Sequence, residues 1–335
     1  MRDIAILIIG LGIILTAAGF FTNGVEWLGR KMKLTEGAVG SVLAAVGTAL
    51  PETIIPIIAI FSGTGETGHE IGIGAILGAP FMLGTLAFFL AGGSVLLFRK
   101  RRSKNFPRIE PDTGVLRRDL SFFLVVYSLA IIASFLPAEL KPVVIFFLIA
   151  AYVFFVYRTC TSGACIDETC TLDPLYLARR HDDPPLVRVL LQVLLAFVGI
   201  VAGAKLFVGG IEHLSASFGA SPLLIALLVA PVATEMPEKF NSIIWLSQRK
   251  DTLALGNITG AMVFQSSVIP AVGIALTPWE LSPVALLSAV LALASALVIY
   301  LLIRFRGHLD SRIIVCTGGL FYGGYVLAIA MGWII

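Results

Sequence analysis

Apolar residues in this chain fall in long unbroken blocks with almost no strict alternation. A helix needs roughly 20 apolar residues to cross a bilayer. Ten windows fit: 4–25, 37–61, 70–98, 119–136, 139–157, 187–211, 221–247, 252–276, 281–304 and 312–334. Continuous blocks without a two-residue period exclude a barrel. The pattern therefore predicts an all-α integral membrane protein with ten transmembrane helices. The longest polar connections are 99–118 and 158–186.

Composition strengthens this reading. Of 335 residues, 58% are hydrophobic and only 13% charged, where a soluble chain carries about a quarter charged residues. Mean hydropathy is +0.95. The placement of charge is more informative than its sum. The connections after spans one, three, five, seven and nine, together with the end residues of the spans that flank them, hold 20 of the 24 Lys and Arg residues. The positive-inside rule puts that side in the cytoplasm. Both termini are then outside, the 158–186 linker is cytoplasmic, and the chain is multi-pass in a cell membrane. The first span is too long for the apolar core of a signal peptide. It also has a partner later in the chain.

That partner is part of an internal repeat. "NGVEWL" at 23–28 matches "GGIEHL" at 209–214, an offset of 186. The same offset carries Thr48 to Thr234, Pro51 to Pro237 and Glu52 to Glu238. "IGAILGA" at 73–79 matches "LGNITGA" at 255–261, an offset of 182. Chance similarity of oily helices explains shared Leu and Ile, but not shared Glu, Pro and Thr in register. The expected organisation is a first five-helix repeat at 1–157, a linker at 158–186 and a second repeat at 187–335. Five is odd, so the second copy enters the membrane from the opposite side. Secondary transporters use such inverted repeats, with the ion site at the repeat interface.

The repeated motifs place carboxylates where they are costly. An acid at a helix centre costs about 2.5–3.5 kcal/mol on insertion scales. Glu52, Glu235 and Glu238 must therefore be protonated or paired with a cation. Lys239 follows Glu238 but points about 100° away around the helix, so it is a poor partner for it. Mobile cations or protons are the expected partners. Pro51 and Pro237 lack an N–H, which frees the carbonyls of Gly47 and Ala233. Thr48 shares a helix face with Glu52, and Thr234 with Glu238. Such hard-oxygen clusters suit Ca²⁺, which takes six to eight oxygen ligands, or Na⁺. Gly74, Gly78, Gly256 and Gly260 permit close helix approach, and packing is their expected role.

With these motifs in hand, the chain resembles the sodium/calcium exchanger family of cation antiporters. "GTALPE" and "ATEMPE" look like the family's signature repeats, together with the two Gly-rich segments, and the resemblance covers both halves. It implies Ca²⁺ export coupled to Na⁺ entry by alternating access, with ion sites among the second, third, seventh and eighth spans. It implies Glu52 and Glu238 as the central Ca²⁺ ligands, with backbone oxygens of Thr48 and Thr234. The departures are local. Family motifs have Ser after the Thr; here Ala49 and Glu235 stand there. The Gly-rich segments usually continue Ser-Asn-x-x-Asn/Asp. Here Ala79, Pro80 and Leu83 offer no side-chain oxygen, and the second segment keeps only Gln265. Glu235 and Gln265 thus complete the candidate metal-binding set. More acid and fewer neutral oxygens favour H⁺ coupling, or a different divalent ion, as the alternative. A cation sensor that does not transport is the reading from another class.

Other features carry less. Cys160, Cys165 and Cys170 have no standard zinc spacing and read as free thiols in a plain linker. Cys316 is expected to pack within the last span. Glu26 and Glu212 occupy matching positions; these suit either a shared gating role as the helices slide or ordinary acids at the membrane interface. The 99–118 segment reads as a topology-setting loop. Enzyme motifs such as H-E-x-x-H, G-x-S-x-G and the phosphate loop are absent from the sequence. No cofactor is expected. The expected partners are Ca²⁺, a monovalent counter-ion and the lipid bilayer, without nucleic acid. A monomer is expected, and the short loops suggest a prokaryotic source.

Overall fold

A computed structural model describes residues 2–32, 50–102, 106–161, 173–179 and 183–333. The described chain is helical almost throughout. Its α-helices are α1 (Arg2–Lys31), α2 (Leu50–Ser62), α3 (Gly65–Met82), α4 (Phe88–Leu97), α5 (Thr113–Ile132), α6 (Lys141–Thr161), α7 (Leu186–Phe218), α8 (Pro222–Ser247), α9 (Asp251–Leu276), α10 (Pro283–Arg306) and α11 (Ser311–Ala330). A π-helical turn over Leu83–Ala87 joins α3 to α4. Eight spans among the described residues are long and apolar enough to cross a membrane. Two more apolar helices, Pro51–Ser62 and Pro222–Glu235, are shorter among those residues. The expected span 37–61 falls partly on 33–49, outside the described residues. Thr48, Ala49 and the freed carbonyl of Gly47 lie there too.

The chain divides into two compact units that interleave the two sequence halves. The first contains 1–72 and 153–222; the second contains 73–152 and 223–335.

In the first unit α1 and α7 pack lengthwise and antiparallel. Gly210 lies against Leu7, Gly203 against Gly10 and Ile14, and Gly24 against Val193. Glycine is needed at this seam: a Cβ on Gly10 would stand 2.8 Å from the Phe207 nitrogen. A linker stretch is tied across one end of the pair. Asn23 donates to the Asp173 carbonyl at 3.3 Å and accepts from Tyr176 N at 3.1 Å and Gln192 Nε2 at 2.9 Å. Gln192 accepts from Leu177 N at 2.9 Å, and Trp27 Nε1 donates to the Asp173 carbonyl at 2.9 Å. Leu175 and Ala178 are buried against Trp27 and Val189. This part of the linker is therefore a docked strap rather than a plain connection. At the other end, Glu212 accepts from Thr64 N at 2.9 Å and Thr64 Oγ1 at 3.1 Å. Its role in the structure is to hold the α2–α3 turn.

The second unit holds the larger core, built around Phe81, Phe88, Phe123, Tyr127, Trp279 and Tyr325. Close packing of α3 on α8 requires Gly74 and Gly78. A Cβ on either would stand 2.4 or 2.2 Å from the carbonyl oxygens of Leu223 and Leu227. For Gly256 and Gly260, nothing among the described residues beyond their own stretch of helix lies within 4 Å of a Cβ placed there; much of span 37–61, toward which that packing is expected, lies outside the described residues. Cys316 is exposed on α11, so it does not pack as expected. It faces outward from the helix among apolar neighbours, as a small hydrophobe can in lipid.

The 99–118 segment is more than a topology signal. Arg108 and Ile109 form a two-residue strand that pairs antiparallel with Leu309–Asp310. Buried Arg102 forks onto Asp251 at 2.7 and 2.8 Å and donates to the carbonyls of Leu246 and Arg108. Three connections assigned to the basic side thus meet within this unit. On the opposite side Lys141 donates to the Pro278 carbonyl, and Trp279 Nε1 to the Ala130 carbonyl at 2.9 Å.

Candidate cation site

The second acidic motif lies on α8, which continues as helix through Pro231 and Pro237. Four residues separate Glu235 from Lys239, so their side chains share a face one turn apart. Lys239 Nζ stands 3.5 Å from Glu235 Oε2, and both side chains are fully enclosed, at 2% and 0% exposure. Gln265 reaches in from α9, where its Nε2 donates to Glu235 Oε1 at 3.1 Å. Two turns further along α8, Ser242 Oγ accepts from Asn257 Nδ2 of α9 at 3.1 Å. These two contacts fix α8 and α9 as an antiparallel pair in register.

The oxygens at this place are unevenly used. Glu235 Oε2 and Gln265 Oε1 are buried, and neither accepts a hydrogen bond among the described residues. The hydroxyls of Ser266 and Ser267 donate to their own helix at the Val263 carbonyl, at 3.0 and 2.7 Å. Thr234 does the same to the Ala230 carbonyl at 3.0 Å. The arrangement therefore offers one carboxylate oxygen and one amide oxygen beside an ammonium. Such a group can hold a small cation or substitute for one.

The structure brings Glu235 and Gln265 together and sets Thr234 beside them on α8. Glu238 is on the same helix, one turn beyond Thr234; its side chain lies outside the described residues. Glu52 is half-buried in the first described turn of α2, in the other unit. Thr48 lies outside the described residues, as do the side chains of Cys160, Cys165 and Cys170. Among the described residues no group of three His, Cys, Asp or Glu side chains is placed to hold a metal.

The partner of one acid differs from expectation. Glu235 has a fixed counter-charge: the Lys239 ammonium stands within ion-pair distance of it, one turn along α8. The signal is present in the sequence as E-x-x-x-K, the favourable order for a helical pair. Sequence reasoning also misses a second acid altogether. Asp119 on α5 is buried, and its Oδ2 accepts from Thr259 Oγ1 at 2.8 Å, while Arg118 donates to Oδ1 at 3.0 Å. Thr259 belongs to the second Gly-rich segment, so part of that motif is spent on anchoring α9 to α5.

A family model described as "Sodium/calcium exchanger protein" matches residues 3–161 and 188–333. The chain belongs to that family. Among curated relatives, the inner membrane protein YrbG of Escherichia coli is 23% identical over 329 residues, covering 98% of this chain and 95% of its own. Two solved structures share the fold. The H⁺/Ca²⁺ exchanger CAX superposes with a TM-score of 0.73 at 15% identity, over 98% of this chain and 82% of its own. The sodium-calcium exchanger NCX_Mj gives 0.56 at 19% identity, over 98% and 97%. The chain is thus a helical membrane protein of an exchanger family. The stretch between the two matched segments is 162–187.

Proposed function

We propose that the protein is a secondary antiporter that exports Ca²⁺ across a cell membrane in exchange for entering Na⁺, by alternating access. The observation that carries this reading is the Pro-Glu motif, present once in each half at one offset, within a chain of this family. Glu52 and Glu238 are the central Ca²⁺ ligands in this reading, helped by backbone oxygens of Thr48 and Thr234. Glu235 and Gln265 supply further oxygens. Ten spans in two inverted repeats, 1–157 and 187–335, frame the site. The antiparallel run of α1 against α7 supports the inversion, because these helices open the two halves. Both termini are outside and the 158–186 linker is cytoplasmic, as the basic connections favour.

A second reading, H⁺ coupling, has its own support. Leu83 is wholly buried in the apolar core and provides no oxygen where the family motif has Asn or Asp. Fewer neutral oxygens leave less to hold Na⁺. Flux of ⁴⁵Ca²⁺ into proteoliposomes under an imposed Na⁺ or pH gradient separates the two. Flux that ignores both gradients removes antiport and leaves a cation-binding protein. Glu52→Gln or Glu238→Gln is expected to abolish exchange while the protein still folds; normal exchange by either variant refutes the site.

A further inference from the structure

We propose that Lys239 is a tethered counter-cation: its ammonium takes the place of one mobile monovalent ion beside Glu235 and Gln265. The proposal rests on the antiporter reading of the same helix and adds to it what sets the number of ions exchanged.

The geometry supports substitution rather than a structural clasp. A charge-assisted hydrogen bond between ammonium and carboxylate spans about 2.7–2.9 Å. Lys239 and Glu235 stand at 3.5 Å, and Glu235 Oε2 accepts no hydrogen bond among the described residues. Gln265 turns its Nε2 to Glu235 and leaves Oε1 buried without a donor. Two unsatisfied oxygens beside a compact positive charge resemble a partly filled coordination shell. A lysine ammonium is such a point charge, on a flexible stem.

Charge balance points the same way. Glu235 and Lys239 together add no net charge to the interior, so the acid needs no monovalent ion of its own. Without Lys239, a buried carboxylate would stand alone in an apolar helix bundle and would require a cation. Neither residue has a counterpart in the first half. At the matching positions of the first half stand Ala49 and Thr53, and Leu83 matches Gln265. Acid, base and amide are all present in one half and all missing from the other. Both charges ride on α8, so the pair persists whichever way that helix moves.

The test compares the full-length protein with Lys239→Met and with the double variant Glu235→Gln/Lys239→Met. Lys239→Met is expected to bind one more ²²Na⁺ per protein than the parent in Ca²⁺-free detergent solution. In proteoliposomes its reversal potential is expected to shift as one added monovalent cation per Ca²⁺ requires. The double variant, with neither charge, is expected to return to the parent's values in both measurements. Equal ²²Na⁺ binding and equal reversal potential in parent and Lys239→Met overturn the proposal. So does a double variant that keeps the extra ion. If Lys239→Met fails to fold, the folded double variant decides: parent-like ²²Na⁺ binding supports the proposal, and a changed ion count overturns it. A parent that moves no Ca²⁺ under either gradient sinks the antiport reading, and the ²²Na⁺ count then still reads Lys239 by itself.

Discussion

Two buried ion pairs lie in the same unit and differ in almost every respect. Arg102 and Asp251 meet through two parallel bonds of 2.7 and 2.8 Å, and Asp251 Oδ2 also accepts from Glu110 N at 2.8 Å. Arg102 further donates to two carbonyls, and among the described residues only its Nε lacks a partner. Glu235 and Lys239 meet at 3.5 Å, and the carboxylate oxygen facing the ammonium accepts no hydrogen bond among the described residues. Burying charge is expensive and is repaid only by good geometry with the remaining hydrogen bonds filled. The first pair meets that condition and ties a loop to the α8–α9 junction. On its Glu235 side the second leaves a buried carboxylate oxygen without a hydrogen bond among the described residues, so its presence in the acidic motif calls for a reason other than stability. Geometry separates a fastening from the pair proposed to work in the ion site.

The largest expected effect breaks the fastening. Arg102→Met would leave Asp251 buried without its partner, at a cost of about 3–5 kcal/mol. A thermal melt of the purified protein should show it as a large drop in midpoint. The folded fraction should keep the parent's Ca²⁺ half-saturation. A melt indistinguishable from the parent's would mean the pair is not structural, and the contrast would fail.

Next in size is Glu235→Gln with Lys239 retained. The ammonium, no longer offset by Glu235, then repels Ca²⁺ from the same helix. Half-saturation for ⁴⁵Ca²⁺ flux is expected to rise on the order of tenfold, equivalent to about 1.4 kcal/mol. Its melting midpoint should fall less than that of Arg102→Met. A variant that melts early and transports with unchanged affinity would reverse the assignment of the two pairs.

These pairs also mark how far the sequence could be read. Long apolar blocks announced a helical membrane protein because lipid leaves few other solutions. The repeated Glu, Pro and Thr are the basis for the cation site proposed above, because acids are rare in such blocks. Glu235 and Gln265 could be named from their positions alone, since each departs from a motif. Lys239 could not be assigned by looking only at its neighbour Glu238; the relevant spacing was four, not one. Arg102 was harder. Among the basic residues of 99–118, nothing local distinguishes the one that is buried, because its partner is 149 positions away. Asp119 hid for the same reason. The linker strap is also non-local, and depends on Asn23 and Gln192 meeting across α1 and α7.

That strap gives a smaller test. Asn23→Ala removes the acceptor for Tyr176 N and Gln192 Nε2. Donors left unpaired cost about 1–3 kcal/mol. Limited proteolysis of the folded protein should then cut faster within 173–179, with Ca²⁺ half-saturation unaltered. Protection equal to the parent's would show that apolar burial of Leu175 and Ala178 holds the strap by itself.

The smallest effect sharpens the contrast from outside the bundle. Lys31 and Asp183 meet at 2.5 Å, closer than either buried pair, yet the Asp183 side chain is 76% exposed. Its hydrogen bond to Lys31 holds the Asp183 carboxyl below the usual aspartate range. A lowered folded-state value means the stabilisation is complete above the unfolded value of about 3.9. It is lost as pH falls through the lower folded value. Exposed pairs contribute little, because water and salt screen them. Asp183→Asn should therefore melt almost with the parent near neutral pH, and any small difference should vanish in acid. If Asp183→Asn instead lowered the midpoint as far as Arg102→Met, short distance would outrank enclosure and bond count, and the distinction between the two buried pairs would lose its basis.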